Sequence, residues 1–291
     1  MKKDASEILK KVRKIEIKTK GLSKHIFSGE YHSAFKGRGT SFSEVREYHY
    51  GDDVRNIDWN VTARTGDPHI KVFEEDRELT VMLLIDISQS SVFGSVKQFK
   101  SELTAELSAV IAFSAITNND KVGAILFTDQ VEKYIPPKKG KSHILRIIRE
   151  IIYHEPESKG TDLNKALIYL NNIQKKKAIV FVLSDFMVQG YESSISIASR
   201  RHDIIGLHIY DQLEKELPNM GLIHAVDPET GSKRILDTSS KAVRAAHTAW
   251  FQSNFDYYDQ MFNRNRSDHI SISTSDDYVK LLLQFFKKRT R

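Results

Sequence analysis

The sequence predicts a doubly wound α/β fold with a mainly parallel sheet, and three observations carry that expectation. Short β-branched apolar runs recur at residues 79–85, 122–127, 178–183 and 204–209. Stretches with helical periodicity separate them. The runs are also too continuously apolar to leave one face in water, as expected of strands covered by helices on both sides.

The elements follow in order. Residues 5–20 set Ile8, Val12 and Ile15 at helical spacing among lysines, which predicts a basic amphipathic helix. Residues 29–77 break into Gly-, Asp- and Arg-rich pieces, with Gly37-Arg38-Gly39 and Gly51-Asp52-Asp53 as turns around brief strands. The sequence thus divides into a polar, β-rich N-terminal part, 1–77, and a larger α/β domain, 78–291. In that domain helices are expected over 97–117, over 142–153, after Thr161 and over 192–200, with a short strand at 131–135. A hairpin over 222–237 turns at Asp227-Pro228-Glu229-Thr230-Gly231. A long helix then carries Trp250, Phe251, Phe255 and Phe262, residues 269–273 add a strand, and Asp276 N-caps a final helix with Val279, Leu282, Leu283 and Phe286 in one stripe.

Composition excludes several functions. With 40% hydrophobic and 28% charged residues the chain has enough apolar matter for a large core. It has no cysteine, so disulfides, thiolate nucleophiles and Cys-ligated zinc are ruled out, and any metal must take oxygen or imidazole ligands. Nothing approaches the ~18 uninterrupted apolar residues of a membrane span, and the N-terminus lacks an apolar signal core, so a cytoplasmic, soluble protein is expected. The net charge of +6 gathers in lysines and arginines near both ends, which read as solvated helix faces; no nucleic-acid partner is expected.

Open α/β sheets build their sites at the carboxyl ends of strands, and two of the apolar runs end in acids, Asp86 and Asp185. Asp86-x-Ser88-x-Ser90 offers a carboxylate and two hydroxyls from one tight loop, and Gly160-Thr161-Asp162 offers a third hydroxyl where another helix opens. Asp86, Ser88, Ser90, Thr161 and Asp185 together supply five hard oxygens for a six-coordinate Mg²⁺ or Mn²⁺. With two carboxylates the ion stays under-neutralised, so an acidic side chain of a partner can complete its shell. The structural alternative makes Asp86 and Ser88 loop caps and Asp185 a helix-initiating residue.

These five positions resemble the metal-ion-dependent adhesion site of von Willebrand factor A domains. The wider chain is similar to the bacterial family called domain of unknown function 58, through Phe42-x-x-x-Arg46-Glu47-Tyr48, Gly51-Asp52-Asp53-x-Arg55-x-Ile57-Asp58-Trp59, Ala63-Arg64 and the later Asp227-x-Glu229-Thr230-Gly231. The resemblance implies a Rossmann-like A-domain fold and a non-enzymatic, metal-dependent interaction module. It also implies a MoxR-type AAA+ ATPase as partner in a chaperone-like or complex-assembly role. For the upstream acids and arginines an internal network that fixes the N-terminal part is preferred over a docking surface.

Other motifs fail on chemistry. Gly140-Lys141-Ser142 looks like the end of a P-loop, but residue 135 is Ile where a glycine is required, and Pro136-Pro137 remove amide donors. Gly37-x-Gly39 lacks a third glycine. No His-Glu-x-x-His or Gly-x-Ser-x-Gly is present. The alternative function is a Mg²⁺-dependent phosphatase of haloacid-dehalogenase type with Asp86 as nucleophile, although Ser88 stands where that chemistry needs a second Asp as general acid.

Overall fold

A strand with no wet face needs helices on both sides, and the chain supplies them in alternation. The computed structural model describes residues 41–74, 79–94, 99–227 and 231–289. The expected N-terminal helix, the Gly37–Gly39 turn and residues 228–230 of the hairpin turn lie outside the described residues.

The first described elements are β1 (Ser41–Glu47), a 3₁₀ turn (Val54–Asn56), α1 (Trp59–Thr65) and β2 (His69–Glu74). β1 and β2 form an antiparallel pair. The family-like acids and arginines bond locally: Arg46 makes a two-pronged pair with Asp52 at 2.8 and 2.9 Å, and Arg55 Nη2 reaches Asp53 at 2.9 Å. Asp58 caps α1 by accepting from the amides of Asn60 and Val61. Asp52, Asp53 and Asp58 thus each have a partner within this part of the chain, while Trp59 is exposed.

The α/β part runs β3 (Thr80–Asp86), α2 (Lys100–Thr117), β4 (Lys121–Phe127), β5 (Val131–Lys138), α3 (Lys141–Tyr153), α4 (Leu163–Ile173), β6 (Ile179–Ser184), α5 (Glu192–Arg201) and β7 (Asp203–Tyr210). It continues through α6 (Gln212–Lys215), the hairpin β8 (Leu222–Val226) and β9 (Lys233–Asp237), α7 (Lys241–Arg264), β10 (Asp268–Ser273) and α8 (Tyr278–Arg289). One six-stranded sheet results, in the order β10-β7-β6-β3-β4-β5, parallel except for β5.

The alternation of side chains along a strand divides the core in two. Val81, Leu83 and Ile85 of β3 face the layer built by α2, α3 and α8, while Met82 and Leu84 face α4, α5 and α7. From Leu103 to Ala115, α2 is buried on almost every side, and each fully buried Leu or Ile stabilises the fold by about 1.5–3 kcal/mol. Gly206 in β7 leaves the space that the buried ring of Phe262 fills: a Cβ there would lie 2.6 Å from Phe262 Cε1.

At the β5 edge the register slips between Val122 and Ala124. Pro136 and Pro137 fall inside this strand, which extends three residues beyond the predicted 131–135. The cap of α8 also differs from expectation. Asp277 Oδ1 accepts from the amides of Val279 and Lys280, whereas Asp276 turns back to the amide of Ser273. Leu283, placed in the apolar stripe by sequence, is 36% exposed; Tyr278, Leu282 and Phe286 are buried. Among the described residues no helix is long and apolar enough to cross a membrane.

Candidate metal centre

β3 and β6 are adjacent and parallel, and Ile85 pairs with Leu183, so the residues that follow, Asp86 and Ser184, end side by side on the carboxyl edge of the sheet. The apolar strands bury these polar groups: Asp86 is 3% exposed, Ser88 0% and Asp185 7%. Burial of polar atoms demands partners. Asp86 accepts from the Ser88 amide at 2.9 Å through Oδ1 and from the Ser184 hydroxyl at 2.7 Å through Oδ2. Ser88 and Ser90 bring their hydroxyl oxygens to 3.0 Å, and the Ser90 hydroxyl donates to Asp185.

The loop that carries Thr161 is held against this group by backbone bonds. The amide of Gln89 donates to Lys159 O at 3.2 Å, and that of Asp162 donates to Thr128 O at 2.9 Å. Glu132 reinforces it by accepting from the amides of Glu157 and Ser158. Thr161 itself is half-buried. Asp86, Ser88, Ser90 and Asp185 therefore share direct contacts, and Thr161 stands in a neighbouring loop fixed to theirs. Asp162 has another task, capping α4 by accepting from the Lys165 amide at 2.9 Å.

Two residues that the sequence reading missed complete the cluster. Lys100, at the first turn of α2 and 2% exposed, donates to Asp185 Oδ2 at 2.9 Å and to Glu214 Oε1 at 2.6 Å. Glu214 is aimed by a capping box in which its other oxygen accepts from the Asp211 amide at 2.8 Å. A lysine at a helix N-terminus is disfavoured by the helix dipole, and here two carboxylates offset that cost. The nearest sequence signal is a lysine in a helix start that otherwise reads as ordinary solvated charge.

The electrostatics follow from burial. Burial, then the nearby Asp185 charge, pushes the Asp86 carboxyl up to about 6. Burial would raise Asp185 too, but the Lys100 ammonium outweighs it and holds that carboxyl below its ordinary value. For Lys100, burial acts downward and is overcome by Asp185 and Glu214, so the ammonium stays charged. Burial raises Glu214. Behind the cluster, His208 is buried among Phe186, Tyr210, Phe255 and Tyr258, with Nδ1 3.0 Å from Ser271 Oγ, and burial lowers it to about 4.

The donors are all hard oxygens, which suits Mg²⁺ or Mn²⁺. Among the described residues no three acidic or imidazole side chains gather into a ready-made metal cluster, so serine and threonine hydroxyls must supply part of any shell. Lys100 pairs with Asp185 and with the part-buried Glu214, so among the described residues of this cluster the Asp86 carboxylate is the buried charge without a cationic partner, and a divalent ion held there would keep positive charge. Asp185 Oδ2 is held by the Lys100 ammonium and Oδ1 by the Met187 amide, and each oxygen keeps a further lone pair for an ion or for a water bound to it.

The family model described as protein of unknown function DUF58 matches residues 44–254. An uncharacterised protein of Mycobacterium tuberculosis is 28% identical over 234 residues, spanning 79% of this chain and 74% of its own. One from Mycobacterium avium is 22% identical over 54% of this chain and 94% of its own. Among solved structures, the conserved hypothetical protein BatB from Bacteroides thetaiotaomicron overlays with a TM-score of 0.46 at 15% identity, covering 72% of this chain and 98% of that one. The SpRpn10 VWA domain overlays at 0.40 and 13%, covering 71% and 94%. Overlays this loose leave the fold to be read from the strand order itself.

Proposed function

Because the chain belongs to the DUF58 family, we propose that it is a non-enzymatic, metal-dependent protein-interaction module. In this reading Asp86, Ser88, Ser90 and Thr161 hold Mg²⁺ or Mn²⁺, and Asp185 reaches the ion directly or through water. The observation that carries it is the convergence of Asp86, Ser88, Ser90 and Asp185, from two adjacent parallel strands, on one buried edge with an uncompensated negative charge.

The bound ion would supply a positive centre to which a partner's carboxylate can bind. The chain's own residues prepare that contact. Ser184 and the Ser88 amide fix the Asp86 carboxylate; the Ser88–Ser90 loop keeps its hydroxyls together; Lys100 fixes Asp185. An ion held there would keep net positive charge, which an acidic side chain of the partner could neutralise. The partner class that fits the family resemblance is a MoxR-type AAA+ ATPase.

The test is capture of partners from native lysate by wild type and Asp86→Ala, each in Mg²⁺ and in EDTA, read by mass spectrometry. Retention of an AAA+ ATPase by wild type in Mg²⁺ alone supports the reading. Equal retention in all four lanes overturns it, as does phosphomonoester turnover that Asp86→Asn abolishes.

A further inference from the structure

At the opposite edge of the sheet, where β6 and β7 begin, lies a cavity of about 220 Å³ lined by Lys177, Ser199, Arg200, His202, Arg266 and Ser267, with Asp203 and Ile204 in its wall. One ordered water needs roughly 10–15 Å³ by the same kind of measure, so the space admits a polyatomic ion with several waters. It is independent of the metal centre in residues and in place.

Its charge is one-sided. Lys177, Arg200 and Arg266 have no ion-pair partner among the described residues, and they come from three separate segments. Asp203, the acid in the wall, is already bridged by Arg289, which also meets Asp268. The two hydroxyls, of Ser199 and Ser267, lie 2.9 Å apart and tie α5 to the chain after α7.

His202 points to a ligand on separate grounds. It is 3% exposed, yet neither ring nitrogen has a hydrogen-bond partner among the described residues. Buried imidazole nitrogens are ordinarily satisfied, so an orphaned ring in a polar cavity marks a missing partner. Burial, then the charge of Arg201, lowers its pKa, which fits a ring that lacks a neighbouring anion.

The basic residues at the end of α5 have an ordinary role in complementing the helix dipole. That role leaves out Arg266. It occupies the left-handed position (φ 53°) that ends α7, its amide donating to Asn263 O at 3.0 Å while that of Ser267 donates to Phe262 O at 2.9 Å. Glycine is the residue normally found there, because it has no Cβ to strain. This chain keeps a long cationic side chain at that strained site, on the rim of the cavity.

We propose that this cavity is an oxyanion site that binds a phosphate group, with His202, Ser199 and Ser267 as hydrogen-bonding partners and Lys177, Arg200 and Arg266 as its charge. Phosphate presents several acceptor oxygens to such donors, and arginine matches it with paired N–H groups.

The full-length protein is titrated with inorganic phosphate, and in a second arm with AMP, following the ring signals of His202 by NMR and affinity by calorimetry. Expected are saturable shifts at His202, at least tenfold weaker binding in Arg266→Gly and in His202→Phe, and unchanged binding in Asp86→Ala. Arg266→Gly relieves the backbone, so its thermal midpoint should hold or rise while affinity falls, which separates recognition from folding. Tighter binding of AMP identifies a phosphoryl group on a larger molecule as the ligand, and equal or tighter binding of phosphate identifies the free ion. Non-saturating shifts spread over surface lysines, or full affinity in Arg266→Gly, would overturn the site.

Discussion

Lys100 and Asp185 meet at 2.9 Å across 85 residues of sequence, and this contact joins the start of α2 to the end of β6 beneath the candidate metal centre. Both side chains are almost wholly buried, so the pair organises the edge of the sheet from within.

Lys100→Met removes the cation and leaves the buried Asp185 and the part-buried Glu214 without it. Breaking one side of a buried pair costs about 3–5 kcal/mol, and urea unfolding at neutral pH should show a loss of that size. Adding Asp185→Asn should restore a good part of it. A loss below about 1 kcal/mol would mean that the pair behaves as a solvated one.

Asp86→Asn should stabilise the protein in EDTA at pH 8. The folded carboxyl titrates near 6 and its ordinary value is 3.8, so above pH 6 the folded state carries a charge it would rather protonate. The gain is about 1–3 kcal/mol, and it disappears below pH 4, where both states are protonated. With saturating Mg²⁺ the order should invert, since ligation stabilises the wild type alone. Chemical denaturation of both proteins in EDTA and in Mg²⁺ checks both signs.

His208 gives a pH dependence of the opposite kind. Its folded value of about 4 lies below the ordinary 6.5, so the unfolded chain takes up the proton first as pH falls. The stability it confers is complete above pH 6.5 and is lost on the way down to 4, by up to about 3 kcal/mol. His208→Gln, which keeps a partner for Ser271, should lose less between pH 7 and 4.5 than wild type in parallel thermal melts.

Gly206→Ala drives a methyl group into Phe262 Cε1, and Tyr258 Oη stands 3.0 Å from the same point. Overpacking of this kind costs about 1–3 kcal/mol. In combination with Phe262→Leu the two costs should fall short of their sum, because the smaller side chain vacates the disputed space. Strict additivity in denaturant unfolding would show that the clash is relieved elsewhere.

Much of this architecture was legible because its signals are local. Runs such as Val81–Ile85 and Val180–Leu183 are continuous and β-branched, which specifies buried strands, and strand ends then locate Asp86 and Asp185 without knowledge of the tertiary structure. Lys100 and Glu214 were not legible: they lie 114 residues apart, and a lysine at the start of a helix looks the same whether it faces water or two acids. Asp276 and Asp277 show a finer limit. Both satisfy the rule for a helix cap, and the choice rests on how the chain leaves β10, where Ser273 captures Asp276. The strand expected over 131–135 runs on through Pro136-Pro137, because a sheet edge tolerates missing amides that an inner strand would not.

That pair of prolines has a bearing on how copies of the molecule meet. Pro136 and Pro137 stand opposite Gly123, where the register with β4 slips, and they remove two amide donors from this edge of the sheet. A foreign strand laid on that margin finds a gap in its ladder. Edge-to-edge pairing of the six-stranded sheet is thereby disfavoured at its β5 side.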